Sequence, residues 1–340
     1  AMSPEPTARV HAPGTVCENP RLVDGFHHIH ARRSQGGGRA ILTALAAALA
    51  LACGGTHPEL PAVDGSDAEA RGLSWLRRFA IDRLLDFRVA SGARAGFVVL
   101  VARNERPVYG YTTGWADIEA EIPMTIDTRF HIASMTKPIT AVAAMMLVEE
   151  GRLSLDDEVA KYLPSFGDFS VVAGHDDAGS WSTKPVSEPI RIRHLLTFTS
   201  GIGGYAGTED RLDRAWRARD IEAAGLGSLE QRIARIPGLP LYEAPGLRWR
   251  YGWSLDVLAR VVEIVTDEPF DAFLERRLFE PLGMRSTGFP AAGSVETVIA
   301  KLYTHAEDGS LVRDTGFDDH YGRGWASGGG GLVSTAPDYL

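Results

Sequence analysis

Ser134, Met135, Thr136 and Lys137 form the only S-x-x-K in the 340 residues, and the chain holds just three other lysines, Lys161, Lys184 and Lys301. On a helix, residues three apart share a face, one turn from each other. A hydroxyl and an amine so placed can act as a pair. An uncharged amine accepts the serine proton and leaves an alkoxide-like nucleophile. The start of a helix adds backbone N–H groups aimed at the reacting centre. The same four residues also fit a plain serine cap with a lysine stretching toward water. The local pattern alone does not separate the two.

The elements around the pair are legible from periodicity. Pro138 to Glu150 is apolar on nearly every side, which predicts a central, buried helix closed by Gly151. Trp75 to Val89 carries Leu76, Phe79, Ala80, Leu84 and Phe87 at helical spacing, an apolar stripe expected to face a core. Gly96 to Ala102 reads as a buried strand. Asn104 to Pro107 reads as a turn, and Val108 to Trp115 as the returning strand of a hairpin. Ile190 to Thr197, Leu229 to Ile236, Ser254 to Val265 and Phe270 to Phe279 continue as helices, and Gly316 to Gly331 as a glycine-rich loop. The predicted class is α/β of the α+β type: an antiparallel sheet flanked by helices, with a helical subdomain over about residues 138–290.

The wider text favours chemistry at the pair. Thr128 to Phe166 (TRFHIASMTKPITAVAAMMLVEEGRLSLDDEVAKYLPSF) closely resembles the first conserved block of the serine β-lactamase-like hydrolases. These include class C β-lactamases, D-Ala-D-Ala peptidases, family VIII esterases and related acyltransferases. Ile192 to Gly204, Pro245 to Glu263, Phe279 to Phe289 and Gly328 to Leu340 resemble later blocks in the same order. The resemblance implies the β-lactamase/transpeptidase-like fold over residues 71–340. It implies Ser134 as the acylated nucleophile, Lys137 as its general base, and no metal or cofactor. Tyr251 matches the tyrosine of the Y-x-N box, which implies that its phenol carries the proton on to the leaving group. As a bare residue, Tyr251 reads equally as an aromatic capping the next helix.

Three departures refine the expectation. Tyr251-Gly252-Trp253 lacks the asparagine of the box, and an indole has only an N–H donor, so it cannot accept the hydrogen bond of an antibiotic's amide. With the run Asp256-Val257-Leu258, this resembles the esterase and acyltransferase branch and favours a carboxyl ester over a β-lactam. Phe198 stands where the H-T-S-G run usually has histidine. No K-T-G or W-G-G third box occurs in the sequence, so central strands and one oxyanion donor are expected to lie outside it, with an open edge on the N-terminal hairpin. A β-lactamase or D-Ala-D-Ala peptidase, and a non-catalytic envelope protein of the same fold, stay open as alternatives.

Composition narrows the rest. Hydrophobic residues make up 44% and charged residues 23%, which excludes a disordered chain or a polytopic membrane protein. A net charge of −9 gives no electrostatic case for nucleic acid. Residues 1–39 read as an extension without fold. Its histidines, His27, His28 and His30, lack the partners and spacing of a metal site. Residues 40–53 read as the apolar region of a signal peptide ending in a lipobox-like Ala50-Leu51-Ala52-Cys53, and residues 54–70 as a linker. The expectation is an exported protein, periplasmic or held to a membrane by lipid on Cys53, acting on a small ester or acyl substrate.

Overall fold

The computed structural model describes residues 72–175, 181–204, 211–223, 225–290, 299–316 and 325–340. The apolar run Ala40 to Ala52, Cys53 and the three N-terminal histidines lie outside the described residues. Among the described residues no helix is long and apolar enough to cross a membrane.

Helix α1 (Trp75–Ala90) leads into β1 (Gly96–Arg103) and β2 (Arg106–Asp117), with the short β3 (Ile122–Pro123) beyond. The sheet runs β1-β2-β3 and is antiparallel throughout. Asn104 and Glu105 both take positive φ, 52° and 61°, which gives the tight hairpin turn its twist. Among the described residues β1 pairs only with β2. The reading of α1 is corrected here. Leu76, Phe79, Leu84 and Phe87 are all more than half exposed, and the buried residues are Asp82 and Asp86. The reason is local hydrogen bonding. Asp82 accepts from the Tyr109 hydroxyl at 2.7 Å, and Asp86 accepts from Tyr111 and Thr113, each at 2.9 Å. Those bonds turn the carboxylate face of α1 onto β2 and its apolar stripe outward.

The helical part is built as periodicity requires. Strand β4 (Phe130–His131) and a single 3-10 turn (Ala133–Met135) precede α2 (Thr136–Glu149). Helix α2 packs on α6 (Ser254–Thr266), whose Leu255, Val257, Leu258, Ala259, Val261 and Val262 are buried in one continuous core. Around it stand α3 (Ile192–Leu196), α4 (Arg211–Arg217), which the periodicity did not predict, α5 (Leu229–Ile233) and α7 (Phe270–Leu274), the last continued by a one-turn π-helix, Glu275–Phe279. Two expectations shift. Helix α2 is not buried on every side, because Val142 and Met145 are exposed. Two hairpins were not foreseen, β5 (Ser170–His175) with β6 (Trp181–Pro185), and β7 (Tyr303–His305) with β8 (Leu311–Arg313). β6, β7 and β8 are short and largely exposed, and none of them carries an apolar alternation. Finally β9 (Val333–Ser334) pairs antiparallel with β4. That pairing sets the segment before Ser134 against the chain's last described stretch.

Candidate active site

The turn that carries Ser134 is fixed from both sides. The Ile132 N–H donates to the Leu332 carbonyl at 3.0 Å, and the Leu332 N–H donates to the buried Thr136 hydroxyl at 3.2 Å. Ala133 is held at φ 45°, in the left-handed region that a residue with a Cβ rarely adopts. Such positions cost roughly 1–3 kcal/mol and persist only where the surroundings hold them. Here the strained residue immediately precedes an exposed serine.

Lys137 lies in the first turn of α2, and the pair meets as the spacing predicts. Its Nζ is 3.1 Å from Ser134 Oγ. The same Nζ donates to the carbonyl of Gly329 in a short contact. Tyr251 comes from the segment ahead of α6, and its hydroxyl is 2.5 Å from Ser134 Oγ. The lysine amine also sits 4.7 Å from the centroid of the Tyr251 ring. All three residues named from the sequence therefore converge on one oxygen. This could not follow from spacing alone, since Tyr251 is 117 residues from Ser134.

Tyr251 is positioned by backbone that leaves no room for side chains. A Cβ on Gly252 would lie 2.4 Å from the Gly203 carbonyl, and Gly204 bridges to Gly252. Trp253 is buried and meets Trp216 edge-on at 6.1 Å. The residue in the asparagine's place thus serves the core. Phe198 stacks on Tyr251, with ring centroids 5.4 Å apart and planes 9° from parallel. That gives the phenylalanine of the F-T-S-G run a visible role as a wall beside the phenol.

Asp256 contributes a part that the sequence did not reveal. It is fully buried on α6, and its Oδ1 accepts from the Ser327 hydroxyl at 2.7 Å and the Gly329 N–H at 3.0 Å. Burial pushes its carboxyl up from the ordinary range, opposed by the hydrogen bonds from Ser327 and Gly329 and by the neighbouring Lys137. Asp256 thereby pins the glycine loop whose next groups hold α2. The Gly328 carbonyl accepts from Thr140 at 2.8 Å, and the Gly329 carbonyl accepts from Lys137. A Cβ at 329 would lie 2.5 Å from Asp256 Oδ2, and one at 328 would lie 2.4 Å from the Leu255 carbonyl. An acidic residue five places after the tyrosine and a run of four glycines were the available signals; only their meeting in space connects them.

Comparison with known proteins identifies the family. The Beta-lactamase family model matches residues 81–340. The chain is 35% identical to an uncharacterized protein of Mycobacterium tuberculosis over 252 residues, 74% of this chain and 61% of that protein. It is 37% identical to the esterase EstB of Burkholderia gladioli over 215 residues, 62% of this chain and 51% of EstB. It therefore spans only about half to three fifths of the length of these relatives. Among solved structures it is similar to EstCE1, a hydrolase with promiscuous acyltransferase activity, with a TM-score of 0.64 and 27% identity. That match covers 82% of this chain and 72% of EstCE1.

Proposed function

The chain belongs to the beta-lactamase family, and from that premise we propose that it cleaves carboxyl esters through an acyl group carried on Ser134. The observation that carries this reading is the meeting of Lys137 Nζ at 3.1 Å and Tyr251 Oη at 2.5 Å on the single oxygen Ser134 Oγ. An uncharged amine has two N–H bonds and one lone pair. The Gly329 carbonyl engages one N–H, so the lone pair can face the serine. The proton of Ser134 passes to Lys137 as Oγ bonds to the ester carbonyl carbon. The C–O bond to the alcohol then breaks, and the departing oxygen receives the proton by way of the Tyr251 hydroxyl. Water repeats the sequence on the acyl-serine and releases the acid; an alcohol in its place gives acyl transfer.

An ester is favoured over a β-lactam because Trp253 is buried against Trp216, leaving no amide acceptor where the family's asparagine would stand. The esterase among the relatives and the hydrolase and acyltransferase activity of EstCE1 support the same choice. The test is labelling by a fluorophosphonate and hydrolysis of p-nitrophenyl butyrate, both lost in Ser134→Ala. Turnover should fall by at least about 10³-fold, as for other removed serine nucleophiles. Faster turnover of a chromogenic cephalosporin than of the ester overturns the preference. A folded protein that takes no label overturns the acyl-enzyme. We further propose that the Ala40 to Ala52 run directs export and that Cys53 carries lipid. Palmitate incorporation abolished by Cys53→Ser is the expected result.

A further inference from the structure

The segment before Tyr251 presents a second feature that the acyl-transfer chemistry does not use. Trp249 is 67% exposed, and isolated exposed aromatics are ordinary. Trp249 is not isolated. Its ring lies 6.0 Å from the Tyr251 ring and 6.1 Å from the Phe198 ring, and those two stack on each other. The three rings form one cluster. One member touches the oxygen of the nucleophile, and another faces solvent.

The cluster is held in place by its backbone. The Arg250 N–H donates to the Phe198 carbonyl at 2.7 Å, and the Gly246 N–H donates to the Thr199 carbonyl at 2.8 Å. Between the two aromatics, the Arg250 side chain turns to Glu243, with Nε 2.8 Å from a carboxylate oxygen, and lies over the Tyr242 ring at 3.9 Å. The charge is thus taken up by Glu243 and Tyr242 while the indole stays uncovered. Met135, next to the nucleophile, is also exposed, at 49%.

We propose that Trp249, with Phe198 behind it, is a binding subsite for an apolar substituent of the substrate ester, an aromatic ring or a chain of about four or more carbons. This rests on the esterase reading above and names its substrate class. An aromatic face beside the phenol gains affinity by removing apolar surface from water, about fourfold for each methylene covered, the equivalent of ~0.8 kcal/mol.

The experiment compares two ester series in the wild type, Trp249→Ala and Trp249→Phe. In one, the acyl group grows from acetate to hexanoate on p-nitrophenol. In the other, the alcohol grows from methyl to benzyl on acetate. The expected result is a kcat/KM that rises at least tenfold along one series in the wild type, flattens in Trp249→Ala and is retained in Trp249→Phe. The series that flattens identifies which half of the ester lies on the shelf. The same slope in Trp249→Ala and wild type, or no slope in either series, overturns the subsite while leaving the esterase reading intact. Absence of any ester turnover overturns the esterase reading instead. The subsite is then decided by the Ser134→Ala variant: a tryptophan emission shift on adding methyl hexanoate, lost in Trp249→Phe, supports it, and no such shift overturns it.

Discussion

Helices α1 and α6 both bury carboxylates, and they do so for different ends. In α6 the surroundings of Asp256 are apolar on the helix itself, with Leu255, Val257, Leu258 and Ala259 packed into the core. The carboxylate's partners are groups of the loop that receives Lys137. In α1 the buried face is polar, and Asp82 and Asp86 hold the hydroxyls of β2. The apolar residues of α1 point away. A helix thus shows by its periodicity that it has two faces, but not which face a neighbouring element takes. Hydrogen-bonding partners on the neighbour decide that, because an unpaired buried carboxylate is far more costly than an exposed leucine.

The comparison breaks most readily at Asp256. Asp256→Ala removes the acceptor for Ser327 and Gly329 and releases the loop from Lys137. A fall in kcat of about a hundredfold is expected, the scale of losing one precisely placed polar group at a reacting centre. Destabilisation of about 1–3 kcal/mol per orphaned donor should accompany it. Unchanged kcat in a folded variant would make Asp256 a packing group like those of α1. Next in size is Asp86→Ala, which strips Tyr111 and Thr113 of their acceptor. Here about 2–4 kcal/mol of stability should be lost in urea titration with kcat unaltered, and a matching loss of kcat would dissolve the distinction between the two helices.

Asp256→Asn sharpens the contrast by removing charge while keeping shape. The folded protein holds the Asp256 proton more tightly than the unfolded chain does, since burial raises its carboxyl. Wild-type stability should therefore decline as pH climbs from the ordinary carboxylate range, about pH 4, through the raised value, while the amide shows no such slope. Parallel urea midpoints for the two proteins across pH 4 to 7 would contradict this. The smallest effect belongs to the outer face of α1. Leu84→Ser or Phe87→Ser should change stability by no more than about 0.5 kcal/mol, because both side chains are more than half exposed. A loss above about 2 kcal/mol in either would show that this face is covered in solution.

Much of the site was readable in the sequence. Ser134 and Lys137 stand at helical spacing, but their roles and that of Tyr251 follow from the resemblance to the serine β-lactamase-like hydrolases, not from spacing. Helix α6 was bounded to within a residue because its apolar stripe is long and regular. What could not be read is what depends on the third dimension. The stripe of α1 was real, but its partner face was not encoded in its own residues. Strand β6 lacks alternation, so no period announced it. Asp256 was visible as a letter, and its connection to Lys137 runs through Gly329, seventy-three residues further on. Phe198 had no evident purpose until its ring was found parallel to the phenol.

The carbonyl that engages the Lys137 amine lies 192 residues downstream of it, on the glycine loop. Synthesis runs from the N-terminus, so Ser134 leaves the ribosome long before Tyr251 and Gly329 exist to complete its surroundings. A half-made chain therefore carries the Ser134 hydroxyl and the Lys137 amine without the Tyr251 and Gly329 partners that meet them in the folded protein.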